Sequence, residues 1–305
     1  MVDITLGILS YNRPQFLYEA VESALNQSVL PEQIIIYDNG SRPDTKDAVK
    51  ELLTKGVKWK GVEQNINPKY ILEKGFSECD TEYIMFLHDD DRLHSNFLEK
   101  QFAILDKYPG LAALSCNGKL IDNAGTEIGS TISSYKRKEF TLQIYEHPGQ
   151  AALRYASNSC IPLSPTIYRK RVVQDFKITE GYGKCGDAVF LCDLAAYGGV
   201  GYTTLPLYDC RIHLNQDSNS FPLDQVQKLE NYFFALPIVS RADKALLDRL
   251  LIQRHTARNT KRALKLLPKG HFHELVDLFL DPRFKVSAFI KELACRIFFY
   301  KSEYQ

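Results

Sequence analysis

No stretch of the 305-residue sequence approaches the roughly 20 consecutive apolar residues that a membrane-crossing helix needs. The opening residues, MVDITLGILSYNRP, carry Asp3 and lack the basic-then-apolar order of a secretory leader. There is no CxxC pair. The seven cysteines (Cys79, Cys116, Cys160, Cys185, Cys192, Cys210, Cys295) are odd in number and scattered, which argues against a disulfide frame or a zinc site and for reduced thiols. Neither sign of charge dominates, with 38 Lys and Arg against 37 Asp and Glu, so global charge says nothing for nucleic acid. No basic patch interleaved with aromatics appears either, and nucleic acid is set aside as a partner. Repeats and low-complexity tracts are absent. What remains, 45% hydrophobic and 25% charged, is the composition of a folded globular protein, expected to be soluble and cytoplasmic.

The first hundred residues alternate between strand and helix patterns. Apolar runs at Ile4 to Leu9, Gln33 to Tyr37 and Tyr83 to Leu87 read as buried strands, with a weaker one at Val57 to Val62. Helical stripes follow at Pro14 to Leu25, Thr45 to Leu53, Lys69 to Glu78 and Asn96 to Lys107. Near-continuous apolar strands separated by helices predict an α/β fold with a mixed, mostly parallel sheet covered on both faces. In such sheets ligands bind beyond the carboxyl ends of the strands. Three of those ends carry polar clusters, Ser10 to Arg13, Asp38 to Ser41 and His88 to Asp91, which should converge. Further strands are expected at Leu111 to Ser115, Ile161 to Tyr168 and Gly201 to His213, and a helix at Ala188 to Tyr197. The polar stretch Gly118 to Gln150 reads as a mobile loop or a hairpin.

The clusters suggest chemistry. Three consecutive carboxylates, Asp89, Asp90 and Asp91, raise one another's pKa unless something neutralises them, and a divalent cation that shares its oxygens with phosphates is the natural partner. An acidic turn whose last member caps the next helix is the structural alternative. Asp38 ends a strand, either as a turn residue or as an acceptor for a base imide or a ribose hydroxyl. Asp187 sits just ahead of a helix, as an N-cap or as a general base. Arg211 and His213, two apart on one strand, share a face and suit a diphosphate or a metal.

Taken in order, these residues resemble a family 2 glycosyltransferase of the GT-A fold. Ser10-Tyr11-Asn12-Arg13-Pro14 is similar to the family's opening turn, and Pro31 to Ser41 to its second strand. Tyr83 to Leu93 (YIMFLHDDDRL) resembles the strand bearing the DxD motif. Gly186-Asp187 stands at the place of the Glu-Asp pair, and Arg211-x-His213 at that of the late R-x-H element. The resemblance covers roughly residues 2 to 220. It implies a Rossmann-like sheet flanked by helices, with a nucleotide-binding half (about 1–110) and an acceptor half (about 111–222). It also implies an inverting, metal-dependent transfer from a nucleotide sugar, UDP-type favoured, to a glycan or lipid-linked saccharide acceptor in surface polysaccharide or glycoconjugate assembly. By that likeness Ser10, Tyr11, Asn12, Arg13, Asp38, Lys69, His88, Asp89 and Arg211 contact the donor, and Asp90 and His213 hold Mn²⁺ or Mg²⁺. Asp91 lies near the acceptor or anchors its loop, and Asp187 is the base.

The Arg-Asn often seen before the family's third strand is not evident, with Lys69 or Lys74 as a substitute, and two positions also depart from the pattern: His88 stands first in the DxD-like motif, and Gly186 stands where a Glu is usual. They keep open a catalytically silent nucleotide-sugar-binding relative. A sugar-phosphate nucleotidyltransferase would need a Gly-rich loop after the first strand, where this chain has Ser-Tyr-Asn-Arg-Pro. From Leu223 onward helices of basic character are expected, including one at Val286 to Tyr300. Between Arg241 and Gln305 there are 14 Lys and Arg against 7 Asp and Glu. This C-terminal extension (223–305) either packs on the catalytic domain or rests on anionic lipid, at the inner face of the membrane.

Overall fold

The computed structural model describes residues 1–131, 141–157, 159–214, 216, 222–237, 240–266, 286–287 and 290. The chain begins β1 (Val2–Ser10), α1 (Pro14–Leu25), β2 (Pro31–Asp38), α2 (Pro43–Ala48), α3 (Lys50–Leu53), β3 (Lys58–Gly61), α4 (Pro68–Glu78) and β4 (Tyr83–His88). Then follow β5 (Arg92–Leu93), α5 (Phe97–Leu105), β6 (Ala113–Ile121), β7 (Glu127–Ser130), β8 (Leu142–Tyr145), α6 (Pro148–Ala156), β9 (Ile167–Arg169) and α7 (Lys170–Val173). A 3₁₀ turn (Gly183–Cys185) leads into α8 (Gly186–Leu194), a second (Ala195–Tyr197) leaves it, and β10 (Val200–Arg211), α9 (Leu223–Ala235) and α10 (Arg241–Leu266) complete the described chain.

One sheet runs in the order β3-β2-β1-β4-β9-β6-β10-β5, with β7 pairing to β6 and β8 to β10. Strands β3, β2, β1 and β4 are parallel, as their apolar runs predict, and β9 enters antiparallel between β4 and β6. Alternation along each strand feeds two cores. Ile4, Leu6, Ile8, Met85 and Leu87 pack on one face with Leu17, Ala20, Val21 and Ala24 of α1. Ile35, Tyr37, Ile84 and Phe86 pack on the other with Ile71, Leu72 and Phe76 of α4. Proline is the first residue of α1, α2, α4 and α6, where its missing N–H costs nothing.

The Phe86 ring shows how tightly the site-bearing strand is seated. A Cβ at Gly7 of β1 would lie 2.8 Å from it, and one at Gly75 of α4 2.5 Å. The ring also meets Tyr37 and Phe76 edge-on.

Several expectations change. The helix expected over Thr45 to Leu53 breaks at Val49 (φ −107°, ψ 7°) into α2 and α3. The strand expected over Ile161 to Tyr168 shrinks to β9, because Pro162 and Pro165 offer no N–H to a ladder. The stretch read as a mobile loop or a hairpin, Gly118 to Gln150, opens as a hairpin: β6 folds back into β7 through a turn in which Asp122 accepts the N–H groups of Ala124 and Thr126, both at 2.9 Å; its positions 132–140 lie outside the described residues. The helix expected at Val286 to Tyr300 lies almost wholly outside the described residues. The described C-terminal helices pack inward, with Leu247 and Leu251 of α10 buried in the same core as Ala151 and Ala152 of α6.

Phe86→Ala should destabilise the protein by about 3–5 kcal/mol, the cost of a fully buried aromatic. Ile128→Ala, at an exposed position, should cost less than about 0.5 kcal/mol. Urea unfolding of the purified variants checks both.

Candidate active site

The three polar clusters meet because the strand register brings them together. Ser10 is opposite Asp38 and Leu9 is opposite His88. Beyond the ladder the pairing continues into the turns: Asn39 N–H donates to the Ser10 carbonyl at 2.9 Å, and Asp89 N–H to the Leu9 carbonyl at 3.0 Å. Asn12 takes a positive φ of 55°, a conformation asparagine tolerates better than most residues. Its N–H donates to Ser41 Oγ, and its side-chain oxygen accepts from Arg42 N–H, both at 2.9 Å. Gly40 (φ 78°) is required next, since a Cβ there would lie 2.5 Å from the Gln64 backbone. The turn after β1 is thereby sewn to the turn after β2.

The acids are the core of the site. Asp89, 2% exposed, accepts from Tyr11 N–H and from the Arg13 guanidinium, each at 2.8 Å. Burial pushes its carboxyl up to about 6 against the pull of Arg13. Asp90 has one oxygen 3.1 Å from Arg13 and 3.0 Å from His213 Nε2. Burial acts to raise its pKa, but His88, Arg13 and His213 together hold it below the usual carboxylate range. Asp91 accepts from Arg211 N–H at 3.0 Å, and burial with Asp90 alongside lifts it to about 7. His88, more exposed than the acids, has its N–H on Ser164 Oγ at 3.0 Å. His88, Asp90 and Asp91 can each offer one ligand atom, all within 4.8 Å of one another. Two carboxylates and an imidazole at that spacing fit a divalent cation.

Asp38 is 5% exposed; one oxygen accepts from Ser41 N–H at 3.0 Å, while the other is buried without a partner among the described residues, as is Ser10 Oγ. Buried polar atoms without partners are uncommon in folded proteins, and these two belong to residues paired across β1 and β2. Asp187 is the second residue of α8. Its side chain is exposed, while the surrounding protein desolvates its carboxylate enough to raise its pKa, and His88 opposes the rise. The base candidate and His88, which precedes the acidic run, are therefore within electrostatic reach of each other.

His213, expected as a metal ligand, pairs with Asp90 and falls outside the group of His88, Asp90 and Asp91, and three residues expected at the donor have protein partners. Arg211 does not face an incoming diphosphate: it is 2% exposed, and its guanidinium donates to the carbonyls of Asp90, Asp122 and Asn123 and to the Glu19 carboxylate. It pins the acidic turn from beneath. Lys69 is engaged by Glu180 at 2.6 Å and by Glu73 at 3.8 Å. Asp89, expected beside ribose or sugar, is instead sealed under the opening turn by Tyr11 and Arg13. Sequence reasoning passed over Glu19, Ser164 and Asp209, the last of which accepts from Arg92 at 2.9 Å and pairs with His94 at 2.8 Å. No local pattern signals them, because each acts on a partner far along the chain.

Comparison with known proteins agrees with this geometry. Residues 5–176 match Glycosyl transferase family 2, a span that holds the three strand-end clusters and stops short of Asp187, Arg211 and His213. An uncharacterized glycosyltransferase of Haemophilus influenzae is 28% identical over 108 residues, 35% of this chain and 40% of the relative. A second from the same organism is 23% identical over 232 residues, 73% of this chain and 69% of the relative. Against the first of these relatives the match spans well under half of its length. The crystal structure of S. aureus TarS 1-349 in complex with UDP-GlcNAc superimposes with a TM-score of 0.62 at 18% identity, covering 87% of this chain and 76% of that one. That likeness speaks to the fold, which is of the GT-A type, with C-terminal helices. With a family match over more than half of its length and the strand-end clusters inside it, the chain belongs to Glycosyl transferase family 2.

Proposed function

We propose that this protein transfers a sugar from a nucleoside-diphosphate donor, of UDP type, to a hydroxyl of a glycan or lipid-linked acceptor, with inversion at the anomeric carbon. The observation that supports it most directly is the meeting of the Ser10–Arg13 turn, Asp38 and the His88–Asp91 run at adjacent strand ends. The free oxygen of Asp38 suits the imide N–H of a uracil. The TarS structure bound to UDP-GlcNAc favours the same donor class here.

His88, Asp90 and Asp91 would hold Mn²⁺ or Mg²⁺, with His213 steadying Asp90. Bound there, the cation would supply positive charge to a departing diphosphate. Arg13, partly exposed between Asp89 and Asp90, adds a second cation at the same edge. Asp187 takes the proton of the acceptor hydroxyl as it attacks from the opposite face. Its raised pKa makes it a better proton acceptor than a carboxylate in open water, provided it is ionised. We place the reaction in surface polysaccharide or glycoconjugate assembly on the cytoplasmic side of a membrane. Burial of Leu247 and Leu251 favours a packing role for α10 over a lipid-binding one.

Asp187→Asn should lower turnover by about 10²- to 10⁴-fold while calorimetric binding of the nucleotide sugar is unchanged. Parental turnover in that variant would assign the base elsewhere. Chelation with EDTA should abolish transfer and Mn²⁺ restore it. Asp90→Asn should weaken Mn²⁺ binding by about tenfold or more in a calorimetric titration with UDP present. A thermal-shift panel of nucleoside diphosphates and nucleotide sugars should show the largest stabilisation for a uridine ligand with Mn²⁺.

A further inference from the structure

The segment that delivers Asp187 is poorly constrained by its own sequence. Between Gly181 and Gly186 every second or third residue is glycine, and Gly181 and Gly183 take positive φ values of 92° and 52°. Glycines of this kind leave the unbound chain many conformations. Nor does a local side chain tie down the start of α8: Cys185, at its N-cap, makes no side-chain capping bond. Something else must hold the turn on which the direction of Asp187 depends.

That support comes from α9, across a sequence gap of 41 residues. Gln225 Oε1 accepts the Lys184 N–H at 2.8 Å, inside the 3₁₀ turn that feeds α8. Its amide lies so close over Gly183 that a Cβ there would sit 2.4 Å from Gln225 Cδ, so the glycine serves the contact as well as the turn. Three residues on, Lys228 Nζ donates to the Gly181 carbonyl at 3.3 Å. Seven residues on, the Tyr232 ring meets Tyr182 edge-on, and its hydroxyl donates to Asp193 further along α8. Positions i, i+3 and i+7 share one helix face, and that face follows the segment from Gly181 to Lys184. On the far side α4 holds the preceding residues, with Lys69 on Glu180 at 2.6 Å and Glu73 accepting the Ile178 N–H at 2.8 Å.

We infer that Gln225 is a positioning residue for the reaction: by capping Lys184 N–H from the C-terminal helix it fixes the glycine-rich turn that aims Asp187. The inference rests on the reading of Asp187 as the base. Gln225 acts through the backbone of Lys184 and through no donor contact, so it governs turnover and not donor affinity.

The test uses the full chain and measures UDP released from UDP-GlcNAc with Mn²⁺, water serving as the acceptor. Gln225→Ala should lower kcat by about fivefold or more, the worth of one hydrogen bond of about 1 kcal/mol. KM for the donor should stay at the parental value, Tm should fall by no more than about 2–4 °C, and hydrogen exchange at the Lys184 amide should quicken. Gln225→Glu, whose carboxylate can accept the same N–H, should restore both kcat and slow exchange. Parental kcat in Gln225→Ala, or a Gln225→Glu variant as slow as Gln225→Ala, would overturn the assignment. Asp187→Asn measured alongside separates the two readings. If Asp187→Asn is inactive and Gln225→Ala is not impaired, the positioning role alone fails; if Asp187→Asn turns over normally, the base assignment fails with it.

Discussion

Asp89, Asp90 and Asp91 form a run of three carboxylates, each less than a tenth exposed, and so much like charge out of water is tolerable only where cations meet it. The surroundings of the turn follow from that demand. Arg13 reaches back from the first turn to Asp89 and Asp90, His213 reaches forward from beyond β10 to Asp90, and Arg211 offers its backbone N–H to Asp91. The arrangement neutralises the acids unevenly. Asp90 is held ionised by its neighbours, whereas burial lifts Asp89 and Asp91 toward neutrality. One strongly ionised oxygen donor between two more readily protonated ones is a setting in which added positive charge is welcome.

A second layer keeps these cations in place. Arg211 is itself buried, and its charge is met by Glu19 of α1, which also lies 3.5 Å from Arg92. Arg92 and His94 in turn share Asp209 of β10. Helix α1, strand β5 and strand β10 are thus joined through one ladder of alternating charge under the acidic turn. Removing a member of such a ladder leaves its partner buried and unpaired, a larger penalty than loss of the bond alone.

The parts of this fold that could be read beforehand are those written in consecutive residues. Buried parallel strands leave uninterrupted apolar runs, such as Ile34 to Ile36 and Ile84 to Leu87, and the polar residues that end them announce a ligand-binding edge. Asp38, the acidic run and the Ser10–Arg13 turn were legible for that reason. What stayed hidden depends on distance along the chain. Glu19 meets Arg211 across 192 positions and Lys69 meets Glu180 across 111, and no spacing rule reaches so far. Arg211 looked like a ligand-binding residue because a charged side chain on a strand usually ends in solvent; burial and four acceptors hold its guanidinium inward. Strand β9 was overdrawn for the opposite reason, since apolar residues around Pro162 and Pro165 imitate a strand whose backbone cannot join the ladder.

The short antiparallel strand β9 has a mechanical consequence. By bonding to β4 on one edge and β6 on the other, it joins the parallel strands β3, β2, β1 and β4 to the later strands β6 and β10 in one continuous sheet. Hinged jaws are not available to such a body, because swinging them apart would tear out ladder bonds in the middle of the molecule. Motion that spares those ladder bonds is confined to the segments that connect the strands.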